Sequence, residues 1–168
     1  MDFMVMSRNN AKKFSYLKQN KKFIIISITD IESEPNVFNY KNKNLKGVLQ
    51  LVFDDVEWPS KRAISEADAL KIVRFCEAMK DKIDLIVVHC EAGVSRSAGV
   101  CAALMKIYNN TDMPIFENAK YCPNMSCYRA VLDAYYGKQY SHTNDDKIRS
   151  KHKINEDAWT RKYRKEYL

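Results

Sequence analysis

Glycine and proline are scarce in this chain, with 4 of each among 168 residues, and neither dominates any stretch. That excludes collagen-like, low-complexity and linker-rich architectures, and the 46% hydrophobic content is enough for one compact domain with a core of its own. Long apolar runs are missing as well. The longest, such as Phe23 to Ile28, fall far short of the roughly 20 residues that a membrane helix needs. No N-terminal segment has the layout of a signal peptide, so the expectation is a soluble, cytoplasmic protein without a membrane span. The cysteines, Cys76, Cys90, Cys101, Cys122 and Cys127, are odd in number and lack the paired spacing of a zinc site or a disulfide framework. Free thiols and no structural metal site are therefore expected, and no cofactor is expected either.

Charge is present in excess of one sign, +7 overall, and it is uneven. Residues 1 to 47 carry nine Lys/Arg against four Asp/Glu, and residues 138 to 168 carry nine against five, whereas the middle carries ten against twelve. Basic ends of this kind suit an acidic partner, nucleic acid included, although a solvated surface is the commoner reason for them. On charge alone no partner is named.

The pattern along the chain is that of an α/β domain. KKFIIISITD and GVLQLVFDD read as buried strands, the second ending in two aspartates. Ser65, followed three residues later by Asp68, is a capping-box start for a helix that puts Ala69, Ile72, Val73, Cys76 and Met79 on one face. DLIVVH is a third strand and Ser97 to Tyr108 an apolar helix. PIFENAKYC and PNMSCYRAVLDAYYG read as two further helices, with prolines in their first turns and Gly137 as a stop. Strand, helix, strand, loop and helix in that order predict a central, mostly parallel sheet flanked by helices. Residues 1 to 140 make the expected folded domain. Residues 141 to 168 form a basic C-terminal tail or terminal helix rather than a separate domain, with Trp159, Tyr163 and Tyr167 along one side of DAWTRKYRKEYL.

One stretch carries chemistry: LIVVHCEAGVSRSAGVCAAL, Leu85 to Leu104. Cys90 stands where a central strand ends and a buried helix begins, the edge at which α/β sheets bind ligands. The loop from Glu91 to Arg96 can curl its amides around an anion, and the helix dipole adds partial positive charge that favours a thiolate nucleophile. Gly93 allows the tight turn, and the planar fork of Arg96 suits two oxygens of a tetrahedral phosphoryl group. Asp54 and Asp55 leave the end of a strand at the same edge. Neighbours at a strand end point in opposite directions, so only one of them faces the pocket.

His89-Cys90-Glu91-Ala92-Gly93-Val94-Ser95-Arg96-Ser97 resembles the HCxxGxxR(S/T) signature of cysteine-dependent protein tyrosine phosphatases, in the HCxAGxSRS form of the dual-specificity phosphatases. The likeness extends over about residues 20 to 137, taking in VFDDVE, ISEADALKIVRFCEAM and the Pro123-Asn124 turn. The resemblance implies a dual-specificity phosphatase-like fold and a two-step hydrolysis of phosphate monoesters on phosphorylated proteins or peptides. Cys90 is then the nucleophile, and the backbone of Glu91, Ala92, Gly93, Val94, Ser95 and Arg96 holds the phosphate. Ser97 helps the thiolate leave, His89 supports the nucleophile's surroundings, and Asn124 buttresses the loop. Aligned on LVFDD, the general acid falls on Asp55, with Asp54 as the alternative and Glu57 a distant third. Low-molecular-weight tyrosine phosphatases carry this loop at the extreme N-terminus, receptor-type domains are much longer, and phosphoinositide phosphatases line the loop with lysines where this one has Glu91. The readings kept beside it are an RNA 5′-phosphatase, which the basic ends would suit, and a catalytically weak phosphotyrosine-binding module.

Overall fold

The computed structural model describes residues 1–163. Its centre is a four-stranded sheet formed by β1 (Asp2–Ser7), β2 (Phe23–Thr29), β3 (Leu45–Val52) and β4 (Leu85–Cys90). The strands lie in the order β1-β4-β2-β3 and every pair is parallel. The helices are α1 (Arg8–Tyr16), α2 (Glu66–Met79), α3 (Arg96–Asn109), α4 (Met113–Phe116), α5 (Met125–Tyr136), α6 (Tyr140–Thr143) and α7 (Asp145–Tyr163).

Two strands explain the layering. FIIISIT and LIVVHC are buried along their whole length because both faces of the sheet are covered. Strand alternation then sorts their side chains. Phe23, Ile25, Leu85 and Val87 form a small core with Ala11 of α1 and Phe38. Ile24, Ile26, Ile28, Ile86 and Val88 face the large core, which also holds Ile72 of α2, Leu104 of α3 and Leu132 of α5. The same parity places Cys90 in the large core, leaving His89 on the α1 side beside Phe38.

Helix starts follow the side-chain chemistry. Ser65 and Asp68 make both bonds of the capping box at α2, and Asn124 caps α5 by accepting the Cys127 amide at 2.9 Å. The single helix expected over 114–122 is cut short at Phe116. The chain turns there, with the Tyr121 amide on the Asn118 carbonyl at 3.0 Å, and this brings the Cys122 amide onto the Val94 carbonyl at 3.0 Å. β1 and α1 had no counterpart among the sequence expectations: DFMVMS is a short edge strand in which only Val5 is buried.

α7 begins at Asp145, well before the expected DAWTRKYRKEYL. Its buried residues, Ile148, Asn155 and Ala158, form a narrow stripe in an otherwise polar helix, too thin to read as amphipathic. The stripe is nevertheless anchored. Asn155 Nδ2 donates to the carbonyls of Phe116 at 3.2 Å and Tyr121 at 3.1 Å, and Lys151 Nζ lies 3.0 Å from the buried Asp112 carboxylate. Trp159 packs against Tyr163 with centroids 4.4 Å apart and planes tilted by 43°, and it is half exposed, so it is not the anchor. Tyr167 lies outside the described residues.

Candidate active site

The C-terminal ends of β1, β2, β3 and β4 share one edge, and the residues singled out in the sequence gather there. Cys90 is 2% exposed, and its Sγ lies 3.1 Å from Ser97 Oγ in the first turn of α3. Between them the chain makes a tight loop. Gly93 sits at φ 73°, and a Cβ there would come within 2.4 Å of the Met6 carbonyl carbon, so the end of β1 is a wall that only glycine fits against. The loop's carbonyls are turned outward: Glu91 O accepts from Arg8 N at 3.1 Å, Val94 O from Cys122 N at 3.0 Å and Ser95 O from Asn124 N at 3.1 Å. Among the described residues, no amide from Ala92 to Arg96 donates to another protein group. Ser95 occupies the N-cap position of α3 without capping it, because its hydroxyl donates to Asp55 Oδ1 at 2.8 Å. A concave set of unpaired amides at a helix start is a site for an anion.

Arg96 is 3% exposed and tightly held on one side only. Its Nη1 donates to the Phe53 carbonyl at 2.6 Å and lies 2.6 Å from Asp30 Oδ1. Its Nε has no hydrogen-bond partner among the described residues. A buried guanidinium donor without an acceptor is costly, and an anion in the loop would relieve it.

Asp54 and Asp55 do point apart. Asp55 accepts from Ser95 Oγ and, at 3.0 Å, from Asn124 Nδ2, which places it over the loop. Asp54 turns away, accepting the Ile31 amide at 3.0 Å and pairing with Arg62. That backbone bond, helped by Arg62, holds the Asp54 carboxyl below its ordinary range, so it stays ionised. Glu57 accepts the Met125 amide at 2.9 Å and serves the start of α5. Asn124 joins the two loops, with its side chain on Asp55 and Val56 and its amide on Ser95.

A match to the family model of the dual specificity phosphatase catalytic domain spans residues 5–133. The chain belongs to this family. No curated protein matches. Among solved structures, that of human DUSP28 superposes with a TM-score of 0.56 at 13% identity, covering 83% of this chain and 94% of that one. The crystal structure of PTPMT1 in complex with PI(5)P gives 0.50 at 20% identity, covering 84% and 94%. At such identities these neighbours establish the dual-specificity phosphatase-like fold.

Arg8, Ser27, Asp30 and Asn36, which support the loop of this phosphatase domain, escaped the sequence reading, whereas His89 did not. Arg8 ties Glu91 from outside, Nη1 to Oε1 at 2.9 Å. His89 is fully buried, and burial lowers its pKa from 6.5 to about 4, leaving the ring neutral at pH 7. Its Nδ1 is 3.2 Å from the Cys90 carbonyl, which can only accept, so Nδ1 carries the proton. Nε2 is then the acceptor for Ser27 Oγ at 2.8 Å, with Asn36 Nδ2 at 3.4 Å. Asp30 was within reach of the argument applied to Asp54 and Asp55, since it too follows a parallel strand at this edge. Arg8, Ser27 and Asn36 carried no comparable signal, because their role depends on the α1 side of the sheet. The remaining cysteines are free, and burial pushes the thiols of Cys76 and Cys101 up to about 12.

Proposed function

We propose that the protein hydrolyses phosphate monoesters on phosphorylated proteins, by way of a phosphocysteine. The observation that carries this reading is the convergence on one loop of Cys90, Ser97 at 3.1 Å and the unpartnered Nε of Arg96, with Asp55 held above them. In the first step Cys90 Sγ attacks phosphorus, the bond to the leaving oxygen breaks, and Asp55 gives that oxygen its proton. The loop amides and the free edge of Arg96 take the charge on the equatorial oxygens. In the second step a water attacks phosphorus and returns its proton to Asp55. The P–S bond breaks, and the Ser97 hydroxyl donates to the departing thiolate. His89, neutral and donating to the Cys90 carbonyl, fixes the strand end from which the nucleophile projects.

Cys90→Ser tests the reading. Hydrolysis of para-nitrophenyl phosphate should fall by roughly a thousandfold or more, with the circular dichroism spectrum unchanged, because the loop remains and the nucleophile does not. Substantial residual turnover in a folded variant would refute the phosphocysteine route. Arg96→Lys should be severely impaired too, since an ammonium cannot make the two-pronged contact.

A further inference from the structure

The loop that would take the anion lies within an acidic rim, in a protein of net charge +7. Loops 30–36, 53–64 and 91–96 carry seven carboxylates against three cations. Asp30, Glu32 and Glu34 follow β2; Asp54, Asp55 and Glu57 follow β3; Glu91 follows Cys90. Contacts join several of them across the loops. Arg62 bridges Asp54 and Glu32, the latter at 3.6 Å, and Arg8 joins Glu91 to the Glu34 carbonyl, which accepts from its Nη2 at 2.5 Å. Arg96 is already shared with Asp30. Among the described residues, the side chains of Glu34, Asp55 and Glu57 have no cationic partner within salt-bridge distance.

Other basic residues stand away from the rim. Lys21, Lys22, Lys43 and Lys46 precede or begin β2 and β3 at the opposite edge of the sheet, roughly 20 Å away by strand rise. At an ordinary screening length of about 8 Å they do not offset the rim.

Two independent observations define what fits. The buried Nε of Arg96 lacks an acceptor, which calls for an anion at the centre. In the loop that carries Asp55, Trp58 is 42% exposed but fixed, its Nε1 donating to the Ile64 carbonyl at 3.1 Å and its amide to Ser126 Oγ at 2.9 Å. A pinned indole beside Glu57 is a face on which a guanidinium can stack.

We propose that the preferred substrate is a phosphorylated protein segment with arginine or lysine next to the phosphorylated residue. The proposal rests on the phosphatase reading and deepens it. A central phosphoryl group satisfies Arg96 and the loop amides, while the flanking cations meet Glu32, Glu34 and the Trp58 face. Polyanions, such as an inositol polyphosphate headgroup or an RNA 5′ end, bring more negative charge to a rim that already carries it.

The test uses phosphotyrosine peptides of one length flanked by Arg or by Glu, with binding read by fluorescence anisotropy on Cys90→Ser and turnover on the wild type. The Arg-flanked peptide should bind about tenfold more tightly, a gap that about 1 M salt narrows. The double variant Glu32→Lys/Glu34→Lys should erase or reverse that order while hydrolysing para-nitrophenyl phosphate at the wild-type rate. Equal binding of the two peptides, or tighter binding of the Glu-flanked peptide, an inositol phosphate or 5′-triphosphorylated RNA, would overturn the proposal. A double variant that keeps the wild-type order would overturn it as well. Loss of the phosphatase reading looks different: no hydrolysis of para-nitrophenyl phosphate by the wild type, whatever the order of binding.

Discussion

His89 and Cys90 are neighbours in one strand, yet they belong to opposite faces of the sheet. On the Cys90 face, the thiol lies over the large core of α2, α3 and α5, within reach of Ser97. On the His89 face there are six buried apolar residues and a polar string that runs from Ser27 through His89 to Asn36. Arg8 extends that string, since its carbonyl accepts from Asn36 and its guanidinium holds Glu91. The contrast separates two tasks. Groups that would touch the phosphoryl centre stand on the well-packed face, where rotamers are locked. The groups on the other face touch only the backbone and flanks of the loop, and they set its direction.

Substitutions at increasing remove from the reacting atoms should break this division in order of size. The largest effect is expected at Asp55. Asp55→Asn should slow poor leaving groups by about 10²–10⁴-fold and leave an activated aryl ester nearly unaffected, whereas Asp54→Asn should stay within about threefold on both. The opposite result, measured as kcat against leaving-group pKa, would move the acid to Asp54.

Next in size is a stability effect on the His89 face. The folded pKa of His89 is depressed, so the unfolded chain binds its proton first as the pH falls. The stabilisation is complete above pH 6.5 and is lost on descent toward about 4, on the order of 3 kcal/mol. Urea midpoints of the wild type should follow that slope and those of His89→Gln should not. A parallel slope in the variant would assign the acid sensitivity to other groups.

Asn155→Ala should cost about 1–3 kcal/mol, because two loop carbonyls lose their donor. It should also weaken vanadate binding, since the same loop carries the Cys122 amide to Val94. A lower melting temperature with unchanged vanadate affinity would make α7 a brace and nothing more. The smallest effect is expected for Arg8→Ala, below about 1 kcal/mol in stability because the pair with Glu91 is partly solvated, together with a KM raised a few-fold at constant kcat.

The Cys90 face was the legible one. Its strand ends, helix start and turn glycine are local patterns, and the DLIVVH run and the Ser65 cap led directly to β4 and α2. The opposing directions of Asp54 and Asp55 followed from strand geometry alone. What escaped depends on contacts between distant segments. Arg8 is an ordinary polar residue until β1 lies beside β4, and Asn155 looks like a solvated helix residue until α7 meets the loop after α4. The short α4 was misread because its pattern is helical, while the turn at Asn118 answers to the Val94 carbonyl.

The wedge of β1 against Gly93 has a consequence for the order of folding. Arg8 and Glu91 are 83 residues apart, so the wall of the loop and the loop itself meet only after a long segment of chain has closed. Closing it costs entropy that grows slowly with length, and no local contact offsets it beforehand. The strand-turn-helix unit around Cys90 can form early from neighbouring residues, but the cradle waits for its last wall. In a refolding time course, far-UV circular dichroism should therefore recover before vanadate binding does.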